Sequence, residues 1–153
     1  LLKGLGAGFG AGGSTASGAA VAARHLKSLG IEKGFRIRDG SGLSYQNKLS
    51  ARTVVKILGA MAKRPDFTVF RRSLAVAGVD GTLRYRMRGT AAAGNVRAKT
   101  GMLAAASSLS GYVTTANGHT LSFALLMNGS PVDVGRAHAA QDAVAVLLAK
   151  SSP

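Results

Sequence analysis

Apolar side chains recur at helical spacing at Val21, Ala22, Leu26 and Leu29, and the following Gly30 suits a helix C-terminus, so the pattern predicts a helix from Ser17 to Gly30. A second helix is predicted over Ala51 to Lys63, with Ser50 as its N-cap. Its apolar stripe is Val54, Val55, Leu58 and Met61, while Arg52, Lys56 and Lys63 face water and Arg64-Pro65 ends it. A short helix follows through Phe67, Phe70 and Leu74. Alternation replaces this period at Phe35-Arg36-Ile37-Arg38, and again over Val96 to Lys99, Ser108 to Thr115 and Thr120 to Met127, which read as strands. Asn117-Gly118 joins the last two, and its tolerance of positive φ predicts a type I′ hairpin. Beyond Pro131, Ala140, Val144, Leu147 and Leu148 define a closing helix from Arg136 to Ala149, expected to pack on the sheet through Val144 and Leu148. Gly4 to Gly18 is dense in glycine, alanine, serine and threonine and reads as a loop, since each glycine costs a helix about 1 kcal/mol against alanine. Gly78-Val79-Asp80-Gly81 reads as a turn, and Leu83 to Gly94 shows no period. A hairpin followed by a closing helix implies an antiparallel sheet flanked by helices, an α/β (α+β) fold.

The chain has 153 residues, a length that suits one domain, and 46% of them are hydrophobic, enough for a packed core. Cysteine is absent, which excludes disulfides, thiolate metal sites and a cysteine nucleophile. No stretch approaches the roughly 20 apolar residues of a spanning helix, so no transmembrane segment is expected. Leu1-Leu2-Lys3-Gly4-Leu5-Gly6 has neither an initiator methionine nor the form of a signal peptide, and is expected to lie inside a longer protein. His25, His119 and His138 share no metal-ligand spacing, so no metal site and no cofactor are expected, and no phosphate-cradling Gly-Lys-Ser/Thr loop is present.

The sharpest local string is Lys99-Thr100-Gly101, at the end of a predicted strand. A fixed ammonium and a hydroxyl there can bind a carboxylate, while glycine lets a substrate backbone lie close. The triplet is not alone. Asp39-Gly40-Ser41-Gly42-Leu43-Ser44 with Asn47 precedes it, as does Ala77-Gly78-Val79-Asp80-Gly81-Thr82-Leu83 with Arg86. Leu109-Ser110-Gly111-Tyr112-Val113 and the hairpin reaching Asn128-Gly129 follow. In this order the motifs resemble the D-alanyl-D-alanine carboxypeptidase/endopeptidase branch of the low-molecular-mass penicillin-binding proteins, and the resemblance covers nearly the whole chain.

The resemblance implies a β-lactamase/transpeptidase-like fold, with residues 1–153 forming only the C-terminal part of the penicillin-binding domain. It implies an exported protein, periplasmic or in the extracellular cell wall. Its partners would be peptidoglycan stem peptides, β-lactam antibiotics and the missing N-terminal part of the same protein. Lys99, Thr100 and Gly101 would bind substrate, Lys99 also serving catalysis, and the Met102 backbone N–H would be one donor of an oxyanion hole. Met102 stands where the family usually has threonine or serine, and Tyr45 where arginine is common. Asp39, Ser41, Ser44 and Asn47 are structural or near-site candidates, because an Asp-Gly-Ser-Gly turn itself needs side-chain oxygens that bond nearby backbone.

Enzymes of this class use a Ser-x-x-Lys nucleophile and a Ser-x-Asn motif. No serine here is followed by lysine three residues on or by asparagine two residues on. Thr53-Val54-Val55-Lys56 mimics the first only with threonine, inside an amphipathic helix. The chain alone is therefore expected to be inactive, and both motifs are expected before Leu1.

Twenty Lys and Arg against six Asp and Glu give a net charge of +14. The basic residues are scattered and aromatics make up only 5%, with no tryptophan, so nucleic acid is not the expected partner. An anionic bacterial wall fits the charge as well. Two functions follow: part of a serine-type D-Ala-D-Ala carboxypeptidase/endopeptidase that works through an acyl-enzyme, or a non-catalytic basic cell-wall-binding module of the same fold.

Overall fold

The structure is a computed structural model that describes residues 1–129 and 131–153. The chain divides into two compact units, Leu1–Ile57 and Leu58–Pro153.

The first unit opens with two helices, α1 (Leu2–Phe9) and α2 (Thr15–Ser28), where the sequence predicts a loop up to Gly18. The glycines that lower helix propensity are what let these helices touch. A Cβ on Gly18 would lie 1.8 Å from the Leu2 carbonyl oxygen, and one on Gly6 would lie 2.5 Å from the Gly12 oxygen. Backbone packing against backbone outweighs the local glycine cost. Ser14 caps α2, its hydroxyl accepting the Ser17 N–H, so the helix starts two residues before the predicted Ser17. The predicted strand shortens to β1 (Phe35–Arg36), paired antiparallel with β2 (Lys48–Leu49). Helix α3 (Ala51–Ala62) follows, its Thr53 N–H donated to the Ser50 hydroxyl as the N-cap reading requires, and the division between units falls within it.

The second unit adds α4 (Phe67–Arg72), β3 (Ala75–Val76), a 3₁₀ turn at Gly81–Leu83, β4 (Val96–Leu103), β5 (Ala106–Thr114), β6 (Thr120–Asn128) and α5 (Val134–Lys150). The sheet is antiparallel throughout, in the order β3-β4-β5-β6. The aperiodic segment after Leu83 is a run of turns that delivers Leu83, Met87 and Ala92 to the core beside Val96, Ala98, Leu109, Val113 and Phe123.

Two expectations fail here for identifiable reasons. The β5–β6 hairpin is not type I′: the Gly118 N–H bonds the Thr115 carbonyl and Thr115 N–H bonds the His119 carbonyl, while Gly118 has φ +82° and Asn117 does not enter the positive-φ region. This is the three-residue loop in which a type I turn is closed by a left-handed glycine. Helix α5 buries Ala137, Gln141, Ala145 and Ala149, not the predicted Val144 face. Val144 is 37% and Leu147 66% exposed, and Leu148 is only partly buried at the edge of the core. A four-residue period of small side chains lets the helix lie close to the sheet. A reading that follows the largest side chains misses it, by one position around the helix.

On the other face of the sheet, Tyr112 is 1% exposed, takes Phe67 and Phe70 edge-on, and donates its hydroxyl to the Leu58 carbonyl at 2.7 Å. Burial pushes its phenol pKa up.

Candidate active site

Lys99, Thr100, Gly101 and Met102 follow one another on β4, from its fourth residue to its seventh. Strand alternation sends Val96, Ala98, Thr100 and Met102 to the core face and Arg97, Lys99 and Gly101 to the opposite face. The backbone groups alternate as well. Ala77 N–H donates to the Val96 carbonyl on the β3 side, so the N–H and C=O groups of Ala98, Thr100 and Met102 point to that same side. β3 pairs only as far as Ala98. From Lys99 on, the β4 edge therefore has no strand partner among the described residues, and the Met102 N–H faces this open edge.

The side chains fit a docking edge. Lys99 is exposed, and among the described residues its ammonium donates only to the neighbouring Thr100 carbonyl. The Thr100 hydroxyl donates to the Thr82 hydroxyl at 3.0 Å, which ties the strand to the 3₁₀ turn of the Asp80-Gly81 segment. A Cβ at Gly101 would lie 2.5 Å from the Ser108 hydroxyl, directly opposite on β5. Met102 is 50% exposed and pairs with buried Ser107. Behind Ser107, the Gln141 side-chain amide donates to its hydroxyl at 3.0 Å, and Arg86 donates both to Gln141 and to Asp142, the latter at 2.7 Å. This network clamps α5 onto the strand that backs Met102. Nearby His138 has its pKa pushed down, first by burial and then by the Arg86 charge, against an opposing effect of Asp142. The sequence offers little sign of this support, because Arg86 and Asp142 stand 56 residues apart.

Asp39, Ser41, Ser44 and Asn47 come together in the first unit. One Asp39 carboxylate oxygen accepts the Ser41 and Gly42 N–H groups and the Asn47 side-chain amide, and the other accepts the Ser44 N–H at 2.7 Å. The Asn47 oxygen accepts the Arg38 and Asp39 N–H groups, and the Ser41 and Ser44 hydroxyls accept from Leu43 and Gln46. These bonds, first that of Asn47 and then that of Gly42, hold the Asp39 carboxyl below its ordinary range. Thr53, the threonine of the Ser-x-x-Lys mimic, is 2% exposed and bonds the Gly34 carbonyl at 3.1 Å, which spends its hydroxyl on a loop. No group of three or more metal-ligating side chains gathers among the described residues, and no helix among them is long and apolar enough to cross a membrane.

Residues 1–151 match the D-Ala-D-Ala carboxypeptidase 3 (S13) family. The chain belongs to this family. Among its relatives, a D-alanyl-D-alanine carboxypeptidase of Actinomadura sp. (strain R39) is 41% identical over 98% of the chain, and a carboxypeptidase DacB of Mycolicibacterium smegmatis is 40% identical over 80%. The chain spans 28% of the length of each. Its fold matches penicillin binding protein 4 (dacB) of Haemophilus influenzae, solved in complex with a β-lactam, with a TM-score of 0.73 and 32% identity over 84% of this chain and 31% of that one.

Proposed function

We propose that this S13 chain is the C-terminal part of a serine-type D-Ala-D-Ala carboxypeptidase/endopeptidase and forms the carboxylate-binding wall of its active site. The observation that carries the reading is the open β4 edge, where an exposed ammonium, a hydroxyl, a glycine and an outward-facing N–H follow one another from Lys99 to Met102. A peptide laid along such an edge is held by main-chain hydrogen bonds. Its terminal carboxylate, or that of a penicillin, meets the Lys99 ammonium in charge-assisted contact, and the Thr100 hydroxyl joins it by turning its proton from Thr82 to the carboxylate.

In this reading the nucleophilic serine and its lysine base belong to sequence outside Leu1–Pro153. The serine oxygen attacks the carbonyl carbon before the terminal D-alanine while its proton passes to the base. The oxyanion forms against the Met102 N–H and a second backbone donor, the C–N bond breaks as the leaving amine is protonated, and water then hydrolyses the ester. With a penicillin, the ring C–N bond opens instead and the ester persists. The substrate is the peptidoglycan stem peptide, the protein works outside the cytoplasm, and a charge of +14 retains it on an anionic wall.

The test is the rate of penicillin acylation in the intact protein. A charge-assisted bond to a carboxylate is worth roughly 1.5–3 kcal/mol, so Lys99→Ala is expected to slow acylation about ten- to a hundredfold, against little change for Arg136→Ala, an exposed charge on α5. Equal rates for wild type and Lys99→Ala would remove the carboxylate role.

A further inference from the structure

Apart from the β4 edge, the second unit gathers positive charge around a cavity of about 300 Å³ lined by Phe67, Thr68, Arg71, Arg72 and Arg97. Arg71 and Arg72 stand on the last turn of α4, and Arg97 projects from β4 on the face that also carries Tyr112. None of the three takes part in an ion pair among the described residues, where the carboxylates of Asp66 and Asp142 are engaged by Arg64 and Arg86. The Arg71 guanidinium is fixed, since its Nη2 donates to the Thr114 hydroxyl at 3.1 Å, yet its Nε is buried and has no partner among the described residues. A buried donor of a charged group left unmatched is costly unless something accepts from it. The floor is rigid, because Phe67 packs edge-on against Tyr112, itself tied to the Leu58 carbonyl.

We infer that Arg71, Arg72 and Arg97 form a binding site for a phosphate-type oxyanion. A guanidinium presents its donors as a planar fork suited to two oxygens of one anion. A planar carboxylate has oxygens for one such fork and neutralises one of three charges. A tetrahedral phosphate offers oxygens in several directions and up to two negative charges, which matches forks arriving from α4 and from β4. Thr68 adds a hydroxyl at the rim. The cavity has room for a substituent beyond the phosphate, so a free phosphate and a phosphodiester chain share the chemistry this site reads.

The experiment measures binding to the intact protein by calorimetry and by thermal shift, with inorganic phosphate in one arm and a glycerol-phosphate oligomer in the other. Sodium chloride at matched ionic strength is the reference. Phosphate-specific stabilisation is expected, with the doubly substituted Arg72→Gln/Arg97→Gln protein binding at least about tenfold more weakly and Arg136→Gln, a charge removal on α5 outside the cavity lining, binding as wild type does. Binding of the oligomer alone also supports the site and makes the diester its ligand. Failure of both phosphate and the oligomer to bind beyond the chloride reference overturns the proposal, as does unchanged binding by the doubly substituted protein. Arg72 is exposed, so Arg72→Gln alone, with a smaller expected loss, serves if the double variant does not fold.

Discussion

The Asp39–Asn47 loop and the Lys99–Met102 stretch of β4 are alike in sequence, both short, with glycine and hydroxyl groups and each with one charged side chain, but they use their polar atoms in opposite ways. The loop turns inward. Both carboxylate oxygens of Asp39 and the side-chain oxygens of Ser41, Ser44 and Asn47 accept hydrogen bonds from within the segment Arg38–Asn47. On β4, among the described residues, Lys99 is exposed with only its neighbour's carbonyl as partner, and the edge that carries the Met102 N–H has no pairing strand. A motif that spends its hydrogen bonds on itself builds a turn, and one that leaves them open builds a place for something else to bind.

Covalent labelling shows the greatest contrast. The 153-residue chain is expected to form no penicillin adduct, while the protein that includes Ser-x-x-Lys and Ser-x-Asn forms one stoichiometrically. Intact-protein mass spectrometry reads the difference, and an adduct on the chain alone would place the nucleophile among its own serines, Ser41 and Ser44 first. Next in size is the split between the two segments: Lys99→Ala lowers acylation about ten- to a hundredfold, whereas Ser41→Ala, which removes one bond to the Leu43 N–H, changes it less than about twofold. A Ser41→Ala rate as low as that of Lys99→Ala would erase the contrast.

Asn47→Ala sharpens it from the side of stability. That change removes the acceptor of two backbone N–H groups and a donor to Asp39, and is expected to cost roughly 1–3 kcal/mol in chemical denaturation. The smallest effect is on pH. Asp39 has a folded pKa below its ordinary value of 3.8, so the loop's ionic hydrogen bonds are fully present above that value and are lost as pH falls through the folded pKa. Protection of the Ser41, Gly42 and Ser44 amides, relative to their intrinsic exchange, should therefore fall as pH drops through the folded pKa of Asp39, while amides within β5 keep theirs.

Alternation and turn residues made the strands legible, because a half-buried sheet writes its faces into the sequence with a period of two. Val96, Ala98, Leu109 and Val113 are fully buried as that pattern requires. The start of the chain was illegible for the opposite reason: Gly6 and Gly18 act through the side chains they lack, and a pattern of apolar positions has no symbol for close backbone contact. Gln141 illustrates a third case. A polar residue on α5 reads as solvent-facing, yet it is fully buried because Ser107 and Arg86, far away in sequence, satisfy both ends of its amide. The Lys99-Thr100-Gly101 string was visible from the start, but its open edge depends on how short β3 is, which only the pairing reveals.

Tyr112 makes the second unit unusually easy to watch. The chain has no tryptophan, and of its three tyrosines Tyr45 and Tyr85 are exposed, while Tyr112 is locked between two phenylalanines and a backbone carbonyl. The tyrosine near-ultraviolet dichroism of the chain therefore comes chiefly from one ring in one asymmetric setting. An unlabelled sample carries its own optical gauge of whether the β4–β5 layer is intact, and a spectrometer can follow that layer's melting without a dye, a tag or an engineered residue.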